Sequence, residues 1–90
     1  MTVRAHYIVH GTVQGVFYRA SALTQALCFG LTGWVQNRGD GTVEIVCEGA
    51  PADVKSFQDW CERGPVGAHV SHVDAREEAA SGEFSAFSIR

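Results

Sequence analysis

The sequence predicts an α+β domain in which two helices cover one face of an antiparallel sheet. Three observations carry that prediction. The hydrophobic period switches between two and the helical value in the order strand–helix–strand–strand–helix–strand. Both helical stretches have recognisable terminators, Gly30 for the first and Gly64-Pro65 for the second. The two middle strands are joined by Gly39-Asp40-Gly41, a hairpin connection. A chain of 90 residues, 46% of them hydrophobic, has material for one core and not for two.

Residues 3–10 alternate, with Val3, Ala5, Tyr7 and Val9 on one face and Arg4, His6, Ile8 and His10 on the other. The second face is only partly polar, as suits a central strand. From Tyr18 to about Phe29 the period becomes helical, and Ala20, Leu23, Ala26 and Leu27 are expected to form the buried stripe. Leu31 to Arg38 reads as a strand containing Trp34 and Val35, and Thr42 to Glu48 as its hairpin partner, with Val43, Ile45 and Cys47 facing inward. Pro51 opens the second helix in its first turn, with Val54, Phe57 and Cys61 at core spacing and Trp60 beside them. Residues 68–76 form a weaker strand, Glu77 to Gly82 a polar loop, and Phe84 to Arg90 a last strand with Phe87 and Ile89 toward the core. Trp34, Trp60, Phe57 and Phe87 are all assigned to packing. The order βαββαβ, with a sheet of four to five strands, is that of a ferredoxin-like sandwich. Such a topology allows the loop after the first strand to meet the end of the second strand at one edge of the sheet.

Composition narrows the function. A net charge of −3, with only seven Lys and Arg, argues against a grip on a nucleic-acid backbone, which needs a basic face. No uninterrupted apolar run exceeds four residues (Ala26 to Phe29), and the start lacks a signal-peptide core, so no membrane span and a cytoplasmic location are expected. Cys28, Cys47 and Cys61 cannot all pair, lie among apolar residues and show no C-x-x-C spacing. A reduced, single-domain monomer is expected over residues 1–90.

The chemistry concentrates in Gly11-Thr12-Val13-Gln14-Gly15-Val16-Phe17-Tyr18-Arg19. A strand ends there, glycines flank a bend, and a helix begins with an arginine in its first turn. Such a bend leaves backbone N–H groups unpaired at a helix mouth, where the macrodipole favours negative charge. Glycine at 11 and 15 is expected to let the chain turn and an anion approach the backbone. An arginine adds a planar fork of donors matched to phosphate or carboxylate oxygens. The stretch therefore reads as an oxyanion cradle, for phosphate above all. Asn37, at the end of the second strand, is the polar group that could converge on Arg19; on the residues alone the simpler reading is that it caps the turn that follows.

Other motifs carry less. No G-K-[ST] follows Gly15, so this is not a nucleotide P-loop, and Gly39-Asp40-Gly41 lacks the third glycine of a dinucleotide fingerprint. His6 and His10 share a strand face but stand about 13 Å apart, too far for one metal. His69 and His72 differ in parity. Both pairs read as surface or edge histidines, and no metal cluster is expected among the four histidines and three cysteines.

Gly11 to Arg19 also resembles the G-x-V-Q-G-V-x-[FY]-R signature of the acylphosphatases. Gly30-Leu31-Thr32-Gly33-Trp34-Val35-Gln36-Asn37 and Asp40-Gly41-Thr42-Val43-Glu44 are similar to that family's second segment, and Phe87-Ser88-Ile89-Arg90 to its end. The resemblance implies metal- and cofactor-free hydrolysis of small acyl phosphates to a carboxylate and inorganic phosphate. It implies that the backbone of Gln14, Gly15, Val16, Phe17 and Tyr18 binds phosphate, that Arg19 clamps the phosphoryl oxygens, and that Asn37 orients the attacking water. The departures from the pattern are Tyr18, where many members have Phe, and the cysteine content. Two other classes stay open on sequence: RNA binding on the sheet, disfavoured by the acidic charge and the lack of an aromatic-basic signature, and a non-hydrolytic anion-binding domain.

Overall fold

A computed structural model describes residues 1–90. Its elements are β1 (Val3–Thr12), α1 (Tyr18–Cys28), β2 (Thr32–Asn37), β3 (Val43–Gly49), α2 (Pro51–Arg63), β4 (His69–Ala79) and β5 (Phe87–Ile89). The sheet order is β4-β1-β3-β2-β5. Antiparallel β3 lies between β1 and β2, and antiparallel β1 lies between β4 and β3. Each helix therefore connects two strands that flank a third, which is the split βαβ arrangement of the ferredoxin-like fold. At the far edge β5 pairs in parallel with β2, so the sheet is mixed where uniform antiparallel pairing was expected.

Alternation drives the layering. Ala5, Tyr7 and Val9 of β1, Val43, Ile45 and Cys47 of β3, and Val35 of β2 are all buried beneath the helices. Phe57 of α2 is the hub of the core, with its ring 6.3 Å from Tyr7, 6.1 Å from Trp60 and 6.0 Å from Phe87. Tyr18 Oη donates to the Cys61 carbonyl at 2.7 Å and so ties the start of α1 to the end of α2. That bond satisfies a hydroxyl that would otherwise be buried at a cost of about 1–3 kcal/mol. Helix α1 ends in a Schellman motif, with Leu31 N–H donating to the Ala26 carbonyl and Gly30 N–H to that of Leu27.

Several expectations need correction. The buried stripe of α1 is Tyr18, Ala22 and Ala26, with Leu23 partly buried, whereas Ala20 and Leu27 face solvent. The face turned to the sheet is thus lined mainly by small alanines, and Leu27 lies off it. Glu77 to Ala79 is not loop: β4 continues through it, pairing Ala5 with Glu77 and Val3 with Ala79. An edge strand with solvent on one face tolerates such polar residues. The last strand is only three residues long, and Ile89 is 41% exposed at its open end. Trp34 lies on the open face of the sheet, where the Arg90 guanidinium covers its ring at 4.3 Å. Cys28 is exposed on α1, whereas Cys47 and Cys61 are buried.

The end of the sheet carrying Gly49 and Val3 is closed by a polar clamp. Arg4 Nε donates to Glu48 Oε2 at 2.7 Å, and the same carboxylate accepts from the N–H groups of Ser81 (2.9 Å) and Gly82 (3.0 Å). Arg4 also reaches Ser81 and Glu83 and sits 5.0 Å over the Phe84 ring. The segment joining β4 to β5, which must cross the whole sheet, is held there. The opposite end is left open.

Candidate active site

At that open end β1 delivers the chain to the loop 13–17, β2 ends at Asn37, and β5 ends at Ile89. Val13, Gly15, Phe17, Tyr18, Arg19, Ala20, Asn37 and Ile89 line one pocket of about 330 Å³. The structure thus brings together the two polar side chains singled out in the sequence, Arg19 and Asn37, which lie 18 positions apart in the chain.

The loop is built to present its backbone. None of the N–H groups of Gln14, Gly15, Val16 or Phe17 donates to another backbone carbonyl. Gly15 has φ +76°, and the place of its missing Cβ is open space, so an anion can approach. Phe17 is the one non-glycine residue with positive φ (63°), and its side chain is 82% exposed at the rim. A left-handed conformation at such a residue costs about 1–2 kcal/mol, and strain of this kind concentrates at functional sites. Phe17 precedes α1 and no side chain caps that helix; its first turn carries no acidic residue. The helix mouth therefore keeps its free donors and the positive end of its dipole for an external anion.

Arg19 is half-buried and forms no ion pair within the chain; every other arginine in the first half of the sequence has a carboxylate within 4.0 Å. Asn37 is exposed and spends none of its side-chain groups on the turn behind it. That turn is satisfied by others. Asp40 Oδ1 accepts from Thr42 N–H at 3.1 Å and from its hydroxyl at 2.6 Å, and Arg38 N–H donates to the Thr42 carbonyl. These contacts hold the Asp40 carboxyl below the usual carboxylate range. Asn37 is not the turn's cap.

Two of the predicted loop residues act differently from their neighbours. Gln14 directs its side-chain amide away from the pocket, to the carbonyls of Arg38 (2.8 Å) and Thr42 (2.9 Å), and so pins the loop to the β2–β3 hairpin. The Tyr18 side chain is buried in the core, where burial, followed by the Cys61 neighbour, pushes its hydroxyl pKa far above the ordinary value; only its backbone is available to a ligand. Gly11 belongs to the ladder rather than the cradle. It has φ +125°, and a Cβ there would stand 2.0 Å from the His69 carbonyl oxygen, so glycine is needed for the approach of β4. Sequence reasoning missed Val13, Ala20 and Ile89 as lining residues, and only the parallel pairing of β5 with β2 brings Ile89 to the pocket.

The histidines lie at the surface and the sheet edge, as expected, but the register pairs two of them across strands. His10 and His72 are cross-strand partners, their rings stacked 4.1 Å apart at 10°, and both approach Asp74. This pairing is set by the β1–β4 register and leaves no trace in the spacing of histidines along a single strand.

A ferredoxin-like α+β domain with unpaired N–H donors and a free arginine at one mouth has the makings of an oxyanion-binding protein. Comparison with known proteins narrows the class. A family model described as Acylphosphatase matches residues 5–89. The chain is 51% identical over 86 residues to an acylphosphatase of Methylococcus capsulatus, covering 96% of this chain and 94% of that one. It superposes on the crystal structure of acylphosphatase from Bacillus subtilis with a TM-score of 0.94 at 34% identity, covering 98% of both chains. An acylphosphatase from Coxiella burnetii gives the same TM-score at 37% identity, covering 99% of this chain and 93% of that one. The chain belongs to the acylphosphatase family and carries its hydrolase activity. No helix is long and apolar enough to cross a membrane.

Proposed function

We propose that the chain hydrolyses the carboxyl–phosphate bond of small acyl phosphates with three groups of its own: the N–H donors of Gln14 to Tyr18, the Arg19 guanidinium and the Asn37 amide. The observation that carries this reading is the convergence of Arg19 and Asn37, both without internal partners, on one pocket at the mouth of an uncapped helix.

The chemistry asks for little more. The leaving group is a carboxylate whose conjugate acid has a pKa of about 4, so it departs without a proton and no general acid is needed. Phosphoryl transfer then depends on positioning and on stabilising charge at the equatorial oxygens. The loop N–H groups and Arg19 supply the second. Asn37 supplies the first, by accepting a hydrogen bond from water and aligning its oxygen with phosphorus. The water oxygen bonds to phosphorus, the bond to the acyl oxygen breaks, and the electron pair leaves with the carboxylate. An amide cannot take a proton at neutral pH, so the water's proton passes to a phosphate oxygen or to solvent. No residue of the site requires a metal or cofactor for these steps, and a monomer in the cytoplasm suffices to perform them. Turnover of benzoyl phosphate by the purified protein, undiminished by EDTA, is the expected result; a folded protein that binds phosphate without hydrolysing benzoyl phosphate would leave only the anion-binding reading.

A further inference from the structure

His10, His72 and Asp74 form a group that the hydrolytic reaction does not use. All three side chains lie on the open face of the sheet, where β1 pairs with edge strand β4. The register places His10 opposite His72 and Ile8 opposite Asp74, and two residues along a strand return a side chain to the same face. His10 Nε2 is 2.9 Å from Asp74 Oδ2, and His72 Nε2 is 3.5 Å from Oδ1 of the same carboxylate. The rings are stacked nearly parallel, and both Nε2 atoms face the one Asp74 carboxylate. One donor atom from each residue lies within 4.8 Å of the others, and no other set of three His, Cys, Asp or Glu residues converges in the chain. Asp74 has no arginine or lysine partner; its only ionic neighbours are the two imidazoles. None of the three lines the Arg19–Asn37 pocket.

We infer that His10, His72 and Asp74 bind one borderline divalent transition ion, such as Zn²⁺ or Cu²⁺, as a clamp between β1 and β4 that is separate from the catalytic pocket. The donor set decides the class of ion. Two imidazoles and one carboxylate suit zinc, copper, nickel or cobalt, whereas calcium and magnesium require oxygen ligands. Binding requires the stacked rings to turn out of their parallel arrangement so that both Nε2 lone pairs converge on one ion at metal–nitrogen distances of about 2.0–2.1 Å. With three protein ligands and solvent on the open side, water completes the coordination. The single carboxylate offsets part of the ion's charge. The consequence falls on β4, the exposed edge of the sheet: the ion cross-links it to its only neighbour and so resists fraying.

The test uses tag-free, metal-stripped protein in a Cys28→Ser background, because the exposed thiol of Cys28 is a competing ligand. Zn²⁺ is titrated by calorimetry, and the imidazole resonances of all four histidines are followed by NMR. The expected result is one saturable Zn²⁺ per chain, with His10 and His72 resonances shifting and those of His6 and His69 unmoved. His72→Gln and Asp74→Asn should each weaken binding about tenfold or more, while His69→Gln binds as the parent does. Turnover of benzoyl phosphate should be the same in the His72→Gln and parent proteins, with or without Zn²⁺. Absence of saturable binding, a response centred on His6 or His69, or equal affinity in the folded His72→Gln and Asp74→Asn proteins would each overturn the inference.

Discussion

Gln14 donates its side-chain amide to the Arg38 carbonyl oxygen at 2.8 Å, joining the loop after β1 to the hairpin after β2. The same amide also donates to the Thr42 carbonyl. Asn37 lies immediately before this hairpin, and Arg19 follows the loop within one helical turn. The amide of Gln14 is thus the direct link that sets the spacing of the two groups proposed to act on substrate. Gln14→Ala removes both bonds, each worth about 0.5–1.5 kcal/mol, without touching the pocket. Melting should shift by a few degrees, and kcat should fall about tenfold or more, since small misplacements of a catalytic group are costly. A Gln14→Ala protein that loses stability but keeps full kcat would show that the link is structural only.

Phosphate should raise the melting temperature, because a ligand of the native state alone stabilises it. The free N–H groups of the loop and the unpaired Arg19 motivate the expectation. Arg19→Lys keeps the charge but replaces a planar fork with a point donor. Losing one charge-assisted contact in the transition state costs about 2–4 kcal/mol, or a fall in turnover of about 30- to 1000-fold. Phosphate protection should weaken in the same variant. Wild-type kinetics in folded Arg19→Lys would remove the clamp, and a melting curve unmoved by saturating phosphate would remove the cradle.

Glu48 gives the pH dependence its sign. Burial raises its pKa, yet the Ser81 N–H, the Arg4 guanidinium, the Gly82 N–H and the Ser81 hydroxyl together outweigh burial and hold it from an ordinary 4.5 down to about 2. Its pKa is lower in the folded chain than in the unfolded one, so the stabilisation is fully present above pH 4.5 and lost as pH falls through about 2. Glu48→Gln should lower stability at neutral pH by about 2 kcal/mol, as expected for losing a buried charge-assisted bond. Urea midpoints of the two proteins should converge between pH 4.5 and 2. A constant gap across that range would assign the loss to packing rather than to the ionised carboxylate.

The fold was legible because its signals are local. The alternation of β1, the hairpin at Gly39-Asp40-Gly41, the Pro51 start of α2 and the Gly30 stop of α1 all sit where the sequence puts them. What was not legible depends on partners distant in sequence. Glu77 to Ala79 carries no strand signal of its own and extends β4 only because β1 offers an unpaired edge. Leu27 fits a core stripe by spacing, yet the buried face of α1 is Tyr18, Ala22 and Ala26. In the site, Arg19 and the loop could be read from residue types at fixed spacing. The tie from Gln14 to hairpin carbonyls could not, since a carbonyl belongs to every residue. The stacking of His10 on His72 likewise follows from register alone.

Asn37 is the sharpest test, because its role separates chemistry from binding. Its side chain forms no hydrogen bond with the turn, which Asp40 and Gln14 already satisfy. Asn37→Ala should therefore change stability by no more than about 0.5 kcal/mol, the range of an exposed substitution. A residue that caps a turn would cost about 1 kcal/mol or more instead. The loop and Arg19 remain intact in this variant, so competitive inhibition by phosphate should be nearly unchanged while kcat drops severely. Asn37→Asp should also be inactive, for another reason. Its carboxylate faces the negative charge of the substrate, which disfavours both ions in one site, so phosphate affinity should fall as well. The two variants thus predict opposite inhibitor behaviour, retained for Ala and reduced for Asp, with similar losses of turnover. Measuring kcat, the phosphate inhibition constant and Tm for both proteins decides the matter. Normal turnover in Asn37→Ala would sink the water-positioning role, and loss of phosphate affinity in that variant would make Asn37 part of the cradle instead.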